Sequence, residues 1–375
     1  MDSLYIHIPF CLSKCFYCSF TSFAHHRDIY SRYVDALLIE LERKARQNSC
    51  DPLATIFIGG GTPTVLILED LMRLICQIKR NFKLAEEVEF TIEANPEGVD
   101  LELLKALRRL GINRISFGVQ SFNDSQLRQL GRLHSSEVAE KVIISANQAG
   151  FTNINVDLMY GLPGQTLNQH SNNLTKAFEL PISHLSIYEL TVEENTQFHR
   201  KLESGDLDLP GEEQLVLMDE ITFARCDEAG FDRYEISNYA KDGLWCRHNL
   251  VYWKNEEYLG VGASAVSYVA GRRMKNIMAA LEYCRKNERG ESLIVQSERL
   301  AKEGSLRETV VMGLRMVGGV STKRLFERYG VDLREYYGQL LTRLQDDGLI
   351  EWHEDHLLLT EYGLRFANQV MADLV

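Results

Sequence analysis

The feature that most constrains the fold is an alternation of strand and helix patterns across the first half of the chain. Short apolar runs rich in β-branched residues occur at 4–8, 55–58, 88–92, 114–117, 153–157 and 184–188. Between them lie helical patterns at 30–46, 69–79, 101–110, 136–149 and 167–178. Strands separated by helices run parallel with right-handed crossovers, so six such units predict an α/β fold with a TIM-like partial (β/α)6 barrel.

The pattern changes in the second half of the chain. A helix at about 212–229 and a strand-like run at 233–237 close the barrel region, so we place the first domain at 1–238. A polar segment with several aromatic residues, 239–305, connects it to a compact tail at 306–375. Helical periodicity followed by the letters GLIEWHEDHLLLT predicts a smaller α+β domain similar to a winged helix. It lacks the basic face that a DNA-binding winged helix needs.

Composition and charge narrow the class of partner and the compartment. Of the 375 residues, 45% are apolar and 25% charged, which is typical of a globular protein large enough to fold without disulfides. The net charge of 41 − 53 = −12 argues against a nucleic-acid partner, because phosphates favour a basic surface. Neither a signal peptide nor a run of about 18 apolar residues is visible, so we expect a cytoplasmic protein with reduced cysteines.

Three of the eight cysteines, Cys11, Cys15 and Cys18, lie directly after the first predicted strand. Three thiolates can hold an iron–sulfur cube and leave one iron able to bind a small molecule, whereas four would saturate it. A structural zinc site closes with four ligands, and His25 or His26 could supply the fourth, so zinc stays an alternative. A chance cluster of buried thiols is the third interpretation, and such clusters are rare.

The C-terminal ends of the predicted strands carry polar residues or glycines, one strand after another. In a β/α barrel these ends form the ligand site. The features after the cysteine loop are Gly59-Gly60-Gly61-Thr62-Pro63, Glu93, Gln120, Asp157 and the segment Gly161 to Gly164. The triple glycine alone could be a tight turn, but it would also let backbone amides approach a polar ligand. A structural protein has no reason to place such groups at successive strand ends, so the register indicates a binding site.

The spacing C-x3-C-x2-C after a first strand resembles the signature of the radical-SAM superfamily. The resemblance implies that Cys11, Cys15 and Cys18 hold a [4Fe–4S] cluster whose open iron binds S-adenosylmethionine. It also implies that reductive cleavage of this cofactor releases a 5′-deoxyadenosyl radical, while the protein orients the cofactor and excludes water.

Longer segments sharpen this resemblance. YIHIPFC, IFIGGGTPT, IEANPE, GVQSF and VDLMYGLPGQ look like the coproporphyrinogen dehydrogenase (HemN) and HemW branch. By position in these motifs, the residues expected to contact S-adenosylmethionine are Tyr5, Tyr17, Gly60, Gly61, Thr62, Glu93, Gln120, Arg132 and Asp157. A carboxylate suits ribose hydroxyls and an arginine suits the ligand carboxylate. Without the motif, Arg132 could equally be a surface or helix-end arginine.

Two features separate the members of this branch. The dehydrogenases resemble C-x3-C-x2-C-x-C and carry an extension before the cysteines, whereas here Phe20 stands at the fourth position and Tyr5 lies almost at the start. The segment His248-Asn249-Leu-Val-Tyr252-Trp253 is similar to the H-N-x-x-Y-W motif of the HemW family, which implies that these residues contact haem. Histidine can ligate haem iron, as Cys246 also could, and aromatic rings can line a porphyrin.

The alternative interpretation of this segment is structural. His248 and Asn249 would then form hydrogen bonds at the domain junction while Tyr252 and Trp253 pack the core.

Three functions remain open at this point. The favoured one is a haem chaperone with a [4Fe–4S] cluster and S-adenosylmethionine that binds haem and transfers it to haem-requiring respiratory proteins. The second is an oxygen-independent coproporphyrinogen III dehydrogenase that oxidatively decarboxylates propionates by radical chemistry. The third is a zinc- or cluster-stabilised binding protein without radical chemistry. The resemblance adds a peripheral association with the membrane, where respiratory haem proteins lie, and a homodimer stays open.

Overall fold

The computed structural model describes residues 1–24, 26–48 and 51–375. His25 and Cys50 therefore lie outside the described residues. The elements of the first half are β1 Ser3–Ile8, β2 Phe10–Cys11, β3 Phe23–Ala24, α1 Tyr30–Gln47, β4 Leu53–Gly60, α2 Leu68–Asn81, β5 Leu84–Ala94, α3 Leu101–Arg109, β6 Arg114–Gln120, α4 Asp124–Leu130, α5 Ser136–Gln148, β7 Asn153–Tyr160, α6 Leu167–Phe178 and β8 His184–Glu189.

The large sheet is built from these strands in their chain order. Within the described residues its order is β1, β4, β5, β6, β7, β8, and all five pairings between these neighbours are parallel. The predicted α/β partial barrel is therefore confirmed. Alternate residues of β1 (Leu4, Ile6 and Ile8) are fully buried against the flanking helices, which explains the apolar runs seen in the sequence.

Local signals fix where the helices begin and end. The side chain of Asp100 caps α3, that of Ser135 caps α5, and Thr166 forms a capping box with Gln169 at α6. Gly111 and Gly150 follow α3 and α5 with φ of 93° and 92°, a left-handed conformation that favours glycine. With these caps, the ends of the three helices lie within a residue or two of their predicted positions.

The next part of the chain completes the two edges of the large sheet. Its elements are α7 Gln197–Glu203, α8 Glu212–Glu228, β9 Asp232–Glu235, β10 Asn238–Ala240, α9 Arg247–Trp253, β11 Leu259–Val261, β12 Val266–Val269, β13 Arg272–Asn276, α10 Ala280–Glu288 and β14 Ile294–Glu298. Strands β10 and β9 pair antiparallel beyond β8, whereas β11 pairs parallel with β1. The connecting segment predicted at 239–305 thus supplies an edge strand to the barrel sheet.

The C-terminal region has its own apolar core. Its elements are α11 Lys302–Gly313, β15 Val320–Ser321, α12 Thr322–Tyr329, α13 Leu333–Tyr337, α14 Gln339–Asp346, β16 Ile350–His353, β17 His356–Leu359, α15 Glu361–Arg365 and α16 Ala367–Asp373. Strands β15, β17 and β16 form an antiparallel sheet beside these helices, which gives the predicted smaller α+β, winged-helix-like architecture. Among the described residues, no helix combines the length and hydropathy needed to cross a bilayer.

Candidate metal and cofactor site

The three neighbouring cysteines lie on the loop that follows β1. Cys11, Cys15 and Cys18 are free thiols, and each is half-buried. The loop is closed at its base by the parallel pairing of β2 with β3. The backbone amide of Phe16 donates to the carbonyl of Leu130 at 3.0 Å, which ties the middle of the loop to the end of α4. The thiols are therefore held at one end of the barrel rather than on a free loop.

Two kinds of metal centre were left open by the sequence, a zinc ion and an iron–sulfur cube. Among the residues that the structure describes, no group of three or more His, Cys, Asp or Glu side chains is arranged to hold one metal ion. A tetrahedral zinc ion needs its ligands within about 2.3 Å, whereas the thiolates of an iron–sulfur cube bind separate irons. The zinc alternative that uses His25 rests on a residue outside the described ones.

A short hydrogen-bond network connects the cysteine loop to the neighbouring strand ends. The hydroxyl of Thr62 donates to Cys11 Sγ at 3.6 Å, and Asn95 Nδ2 donates to Thr62 Oγ1 at 3.0 Å. Arg132 Nη2 donates to Asn95 Oδ1 at 2.7 Å, while its Nη1 donates to Cys15 Sγ at 3.3 Å. Sequence reasoning missed Asn95, although it stands two residues after Glu93 within the IEANPE segment. The network orients donors toward two of the three sulfurs.

Arg132 is the main positive charge at this site. Burial lowers its pKa, but interactions with Cys15, Tyr17 and Glu97 outweigh the burial, so the net pKa shift is upward and the guanidinium stays charged. Its Nε is buried and has no hydrogen-bond partner in the described part of the chain. A buried donor without a partner is costly unless a ligand satisfies it. The donor set therefore fits an anionic or carboxylate-bearing cofactor beside the thiols.

The triple glycine is required by close packing. A Cβ on Gly61 would lie 2.5 Å from the carbonyl oxygen of Phe10, and one on Gly60 would lie 2.6 Å from the His7 ring. Gly60 also has a φ of 116°, which an L side chain rarely adopts.

The amides of this segment are already used within the chain. The Gly60 amide donates to Glu93 Oε2 at 2.9 Å, the Gly61 amide to the Ile8 carbonyl at 2.8 Å and the Thr62 amide to the Phe10 carbonyl at 2.7 Å. These three amides are therefore not available to a ligand in this arrangement. What the glycines offer instead is space beside the cysteine loop.

Two half-buried carboxyl groups, Glu93 on β5 and Asp157 on β7, lie on either side of β6 in the sheet. Burial, reinforced by the charge of Asp157, raises the pKa of Glu93 to about 8. Burial also raises the pKa of Asp157, partly opposed by hydrogen bonds from Ser186 and Asn155. Asn155 Nδ2 donates to Asp157 Oδ1 at 2.7 Å. Glu93 can therefore take up a proton near neutral pH, and both carboxyl groups can accept hydroxyl donors when ionised.

Gln120, Asp157 and Tyr5, all predicted to contact S-adenosylmethionine, differ in their positions on the strands. Gln120 ends β6 with a φ of 71°, a left-handed conformation unusual for this residue type. Asp157 does not end its strand as predicted, because β7 continues to Tyr160. Tyr5 points into the barrel interior, where its hydroxyl lies 2.9 Å from His7 Nδ1 and its ring stacks on Phe57.

Tyr17 lies in a different setting from Tyr5. Its ring packs with Phe198, at a centroid separation of 6.4 Å, in a small apolar cluster below the cysteine loop. The proposed contacts thus divide between the loop and the strand ends of the barrel.

The H-N-x-x-Y-W segment forms the short helix α9, and its histidine faces inward. His248 is fully buried, with Nδ1 2.8 Å from Thr55 Oγ1 and Nε2 2.9 Å from the Tyr252 hydroxyl. Its ring stacks on Phe57 at 5.3 Å. Burial lowers the pKa of His248 to about 3, and the charge of Arg114 adds to this effect. Both ring nitrogens are engaged in this arrangement, which favours the structural interpretation of His248 over direct ligation of haem iron.

The start of α9 is fixed to the barrel by a carboxylate on β5. Glu89 Oε2 accepts from the Arg247 amide at 2.9 Å, and Glu89 Oε1 accepts from the His248 amide at 3.0 Å. The Cys246 thiol, the other conceivable iron ligand, is buried and lies 3.7 Å from Glu89 Oε1. Burial raises its pKa to about 12, so it is a neutral structural thiol. Trp253, by contrast, faces away from the sheet toward the C-terminal region, and Asn249 is half-buried beside His248.

Comparisons with known proteins show the class to which this chain belongs. Residues 5–173 match the family model described as the Radical SAM superfamily, and residues 300–366 match the HemN C-terminal domain. The solved structure of coproporphyrinogen III oxidase (HemN) from Escherichia coli superposes with a TM-score of 0.87 at 25% identity, covering 99% of this chain and 89% of that chain. The protein is thus of the radical-SAM class, with a HemN-type C-terminal domain.

Curated relatives identify the family more closely. The heme chaperone HemW of Bacillus subtilis is 39% identical over 371 residues, covering 99% of this chain and 98% of that protein. The heme chaperone HemW of Haemophilus influenzae is 35% identical, covering 98% of this chain and 96% of that protein. The chain belongs to the HemW heme chaperone family.

Proposed function

We propose that this protein is a radical-SAM haem chaperone whose [4Fe–4S] cluster is held by Cys11, Cys15 and Cys18. The observation that carries the proposal is the set of three half-buried thiols, two of which accept hydrogen bonds from Thr62 and Arg132. Three thiolates leave one iron of a cube open, and hydrogen bonds to sulfur are a means of tuning such clusters. Membership in the HemW family supports the same assignment.

S-adenosylmethionine is the proposed ligand of the open iron. When bound, this cofactor supplies radical chemistry that the protein's own side chains cannot perform. Arg132, whose Nε has no partner among the described residues, would meet the ligand carboxylate, and Glu93 and Asp157 would accept ribose hydroxyls. Gly60, Gly61 and Thr62 leave room beside the cluster, and the contacts proposed to complete the site are those of Tyr5, Tyr17 and Gln120.

Haem is the proposed cargo. The relatives named heme chaperone HemW cover nearly the whole chain, and the H-N-x-x-Y-W segment resembles the motif of that family. Recipients would be haem-requiring respiratory proteins, reached from the cytoplasm or by peripheral contact with the membrane. The net charge of −12 fits a protein recipient better than a nucleic acid.

Anaerobic reconstitution tests the cluster. Single Cys11→Ala, Cys15→Ala and Cys18→Ala variants should lose the iron and acid-labile sulfide that the wild type retains. Cys76→Ala is the matched control, because Cys76 is an exposed free thiol on α2. If the three variants keep full iron and sulfide, the ligand assignment is wrong.

The cargo is tested on the same cluster-loaded protein. Haem should stay with the wild type through anaerobic gel filtration, and a chain that retains none would contradict the chaperone function.

Coproporphyrinogen III oxidation is the second candidate, because the HemN structure matches over 99% of this chain. Phe20, whose side chain is 69% exposed, occupies the position of a further cysteine in the dehydrogenases. Incubation with coproporphyrinogen III, S-adenosylmethionine and a reductant without oxygen separates the two functions. The chaperone proposal predicts no protoporphyrinogen, and its formation would favour the dehydrogenase.

A further inference from the structure

A cleft lies between α9 and the C-terminal region, apart from the cysteine loop. Its volume is about 520 Å³, within the range of roughly 300–1,000 Å³ that small-molecule sites occupy. The α9 side contributes Leu250, Trp253 and Lys254, and the C-terminal side contributes Met316, Arg328 and His356. Ligand sites form preferentially at such junctions between domains.

The walls of this cleft suit a flat apolar ring. The rings of Tyr234 and Trp245 stack at a centroid distance of 5.4 Å and an interplanar angle of 14°, and Trp245 is 43% exposed. Trp253 forms another part of the wall, and its indole Nε1 is buried with no partner in the described part of the chain. Tyr234 is buried, so Trp245 supplies most of the open aromatic surface; such surface beside a cavity is costly in water, and a stacked ligand would remove that cost.

The cleft also contains a histidine arranged as metal-ligating histidines usually are. The hairpin of β16 and β17 is called the wing below. His356 begins β17 in this wing, and its Nδ1 lies 3.0 Å from Asp355 Oδ1. Asp355 is held in turn by Ser321, whose hydroxyl donates to Oδ2 at 2.6 Å. A carboxylate that receives one imidazole nitrogen orients the ring and leaves the other nitrogen, here Nε2, for a metal. His248 lacks this freedom, because both of its nitrogens are engaged in the interior.

The rim of the cleft carries both signs of charge. Arg324 pairs with Glu256 at 3.1 Å, and Arg328 donates to the Asn255 carbonyl at 3.0 Å. Lys254 adds a further cation at the α9 end, and Glu327 a further carboxylate. Exposed ion pairs such as Arg324 with Glu256 contribute little by themselves and can exchange partners. Arginine binds carboxylates in a bidentate manner, so the rim can receive the propionates of a porphyrin.

We propose that haem binds in this cleft, between the Tyr234, Trp245 and Trp253 rings and the wing, with His356 as an axial ligand of its iron. The inference rests on the proposed function, because it names the place where the cargo sits. In this arrangement Trp253 contacts haem directly. His248 and Tyr252 act as positioning residues that hold α9 against the sheet.

The test is an anaerobic haem titration of the cluster-loaded protein, followed by difference absorption. His356→Ala should weaken binding by about tenfold or more, and added imidazole should restore the spectrum of the axially ligated iron. His353→Ala is the matched control, because it changes an exposed histidine of the same wing, paired with His356 across β16 and β17. Gly318→Trp is a second variant. Gly318 lines the cleft, and a Cβ there meets no atom within 4 Å, so the bulk should block haem without disturbing the fold.

The outcomes separate this inference from the function on which it rests. A wild type that binds no haem contradicts the chaperone function itself. If the wild type binds haem and both His356→Ala and Gly318→Trp keep its affinity and spectrum, the proposed haem site in the cleft is wrong. The chaperone function is then unaffected. Loss in both variants with none in His353→Ala supports the cleft.

Discussion

The burial of His248 predicts a specific dependence of stability on pH. In the fold its pKa is lowered to about 3, chiefly by burial, whereas an unfolded chain has an imidazole pKa of about 6.5. Below pH 6.5 the unfolded state therefore binds a proton that the folded state excludes, and stability falls as the pH falls. One unit below that value, at about pH 5.5, the loss attributable to His248 is about 1.4 kcal/mol.

The measurement compares urea-unfolding midpoints of the anaerobic wild type and a His248→Gln variant at about pH 7 and about pH 5.5. Glutamine removes the titrating group while keeping a side chain that can hydrogen-bond to Thr55. At pH 7 we expect the variant to be less stable, because it loses the stacking on Phe57. Between about pH 7 and about pH 5.5 the stability difference between the two proteins should narrow by about 1.3 kcal/mol, since only the wild type carries this proton-linked loss.

Other buried histidines, such as His170 and His184, also have lowered pKa values through burial, but they are common to both proteins and cancel in the comparison. His353→Gln, at an exposed site, is the control and should show no narrowing. If the wild type and His248→Gln lose equal stability between the two pH values, the imidazole titrates as freely in the fold as in the unfolded chain. The buried role of His248 would then be refuted, and its candidacy as an accessible iron ligand restored.

Three further predictions concern the cluster end of the barrel. Arg132→Gln removes the hydrogen bond to Cys15 Sγ and should lower the reduction potential of the cluster while its iron content stays constant. A redox titration followed by electron paramagnetic resonance measures this potential, and an unchanged value would contradict the contact. Because the pKa of Glu93 is raised to about 8, its ionised form is scarce at pH 7. S-adenosylmethionine should therefore bind about tenfold more tightly near pH 9 than at pH 7. In equilibrium titrations, Glu93→Gln should abolish this dependence of affinity on pH. Gly61→Ala should cost about 1–3 kcal/mol in unfolding experiments, because its Cβ would meet the Phe10 carbonyl, whereas Gly211→Ala, which meets nothing within 4 Å, should change little.

Much of the fold could be predicted because its signals are local. The strand predicted at 114–117 is the first part of β6, and the helix predicted at 167–178 has the bounds of α6. Both follow from periodicity and from caps such as Thr166, which lie within a few residues of the element they define. The parallel order of the strands follows from their alternation with helices.

Long-range contacts could not be predicted in the same way. Strand β11 has three residues, and only its pairing with β1, more than 200 positions earlier, makes it a strand. The orientation of His248 likewise depends on Thr55, which is 193 positions away. Asn95 has no periodicity or spacing that marks it as a bridge between Thr62 and Arg132. In each case the deciding partner is absent from the local sequence, so composition and period carry no information about it.

The six-residue motif of α9 shows how one sequence signal can combine two physical roles. Residues four apart on a helix share a face, so His248 and Tyr252 both turn toward the sheet, where they bond to each other. Trp253, the next residue, projects from a different face and lines the cleft shared with the wing. The carboxylate of Glu89 fixes the start of this helix through two backbone amides. A motif of this kind therefore need not be a set of ligands: its buried members set the angle of the helix, and that angle determines which aromatic side chain lines the cleft.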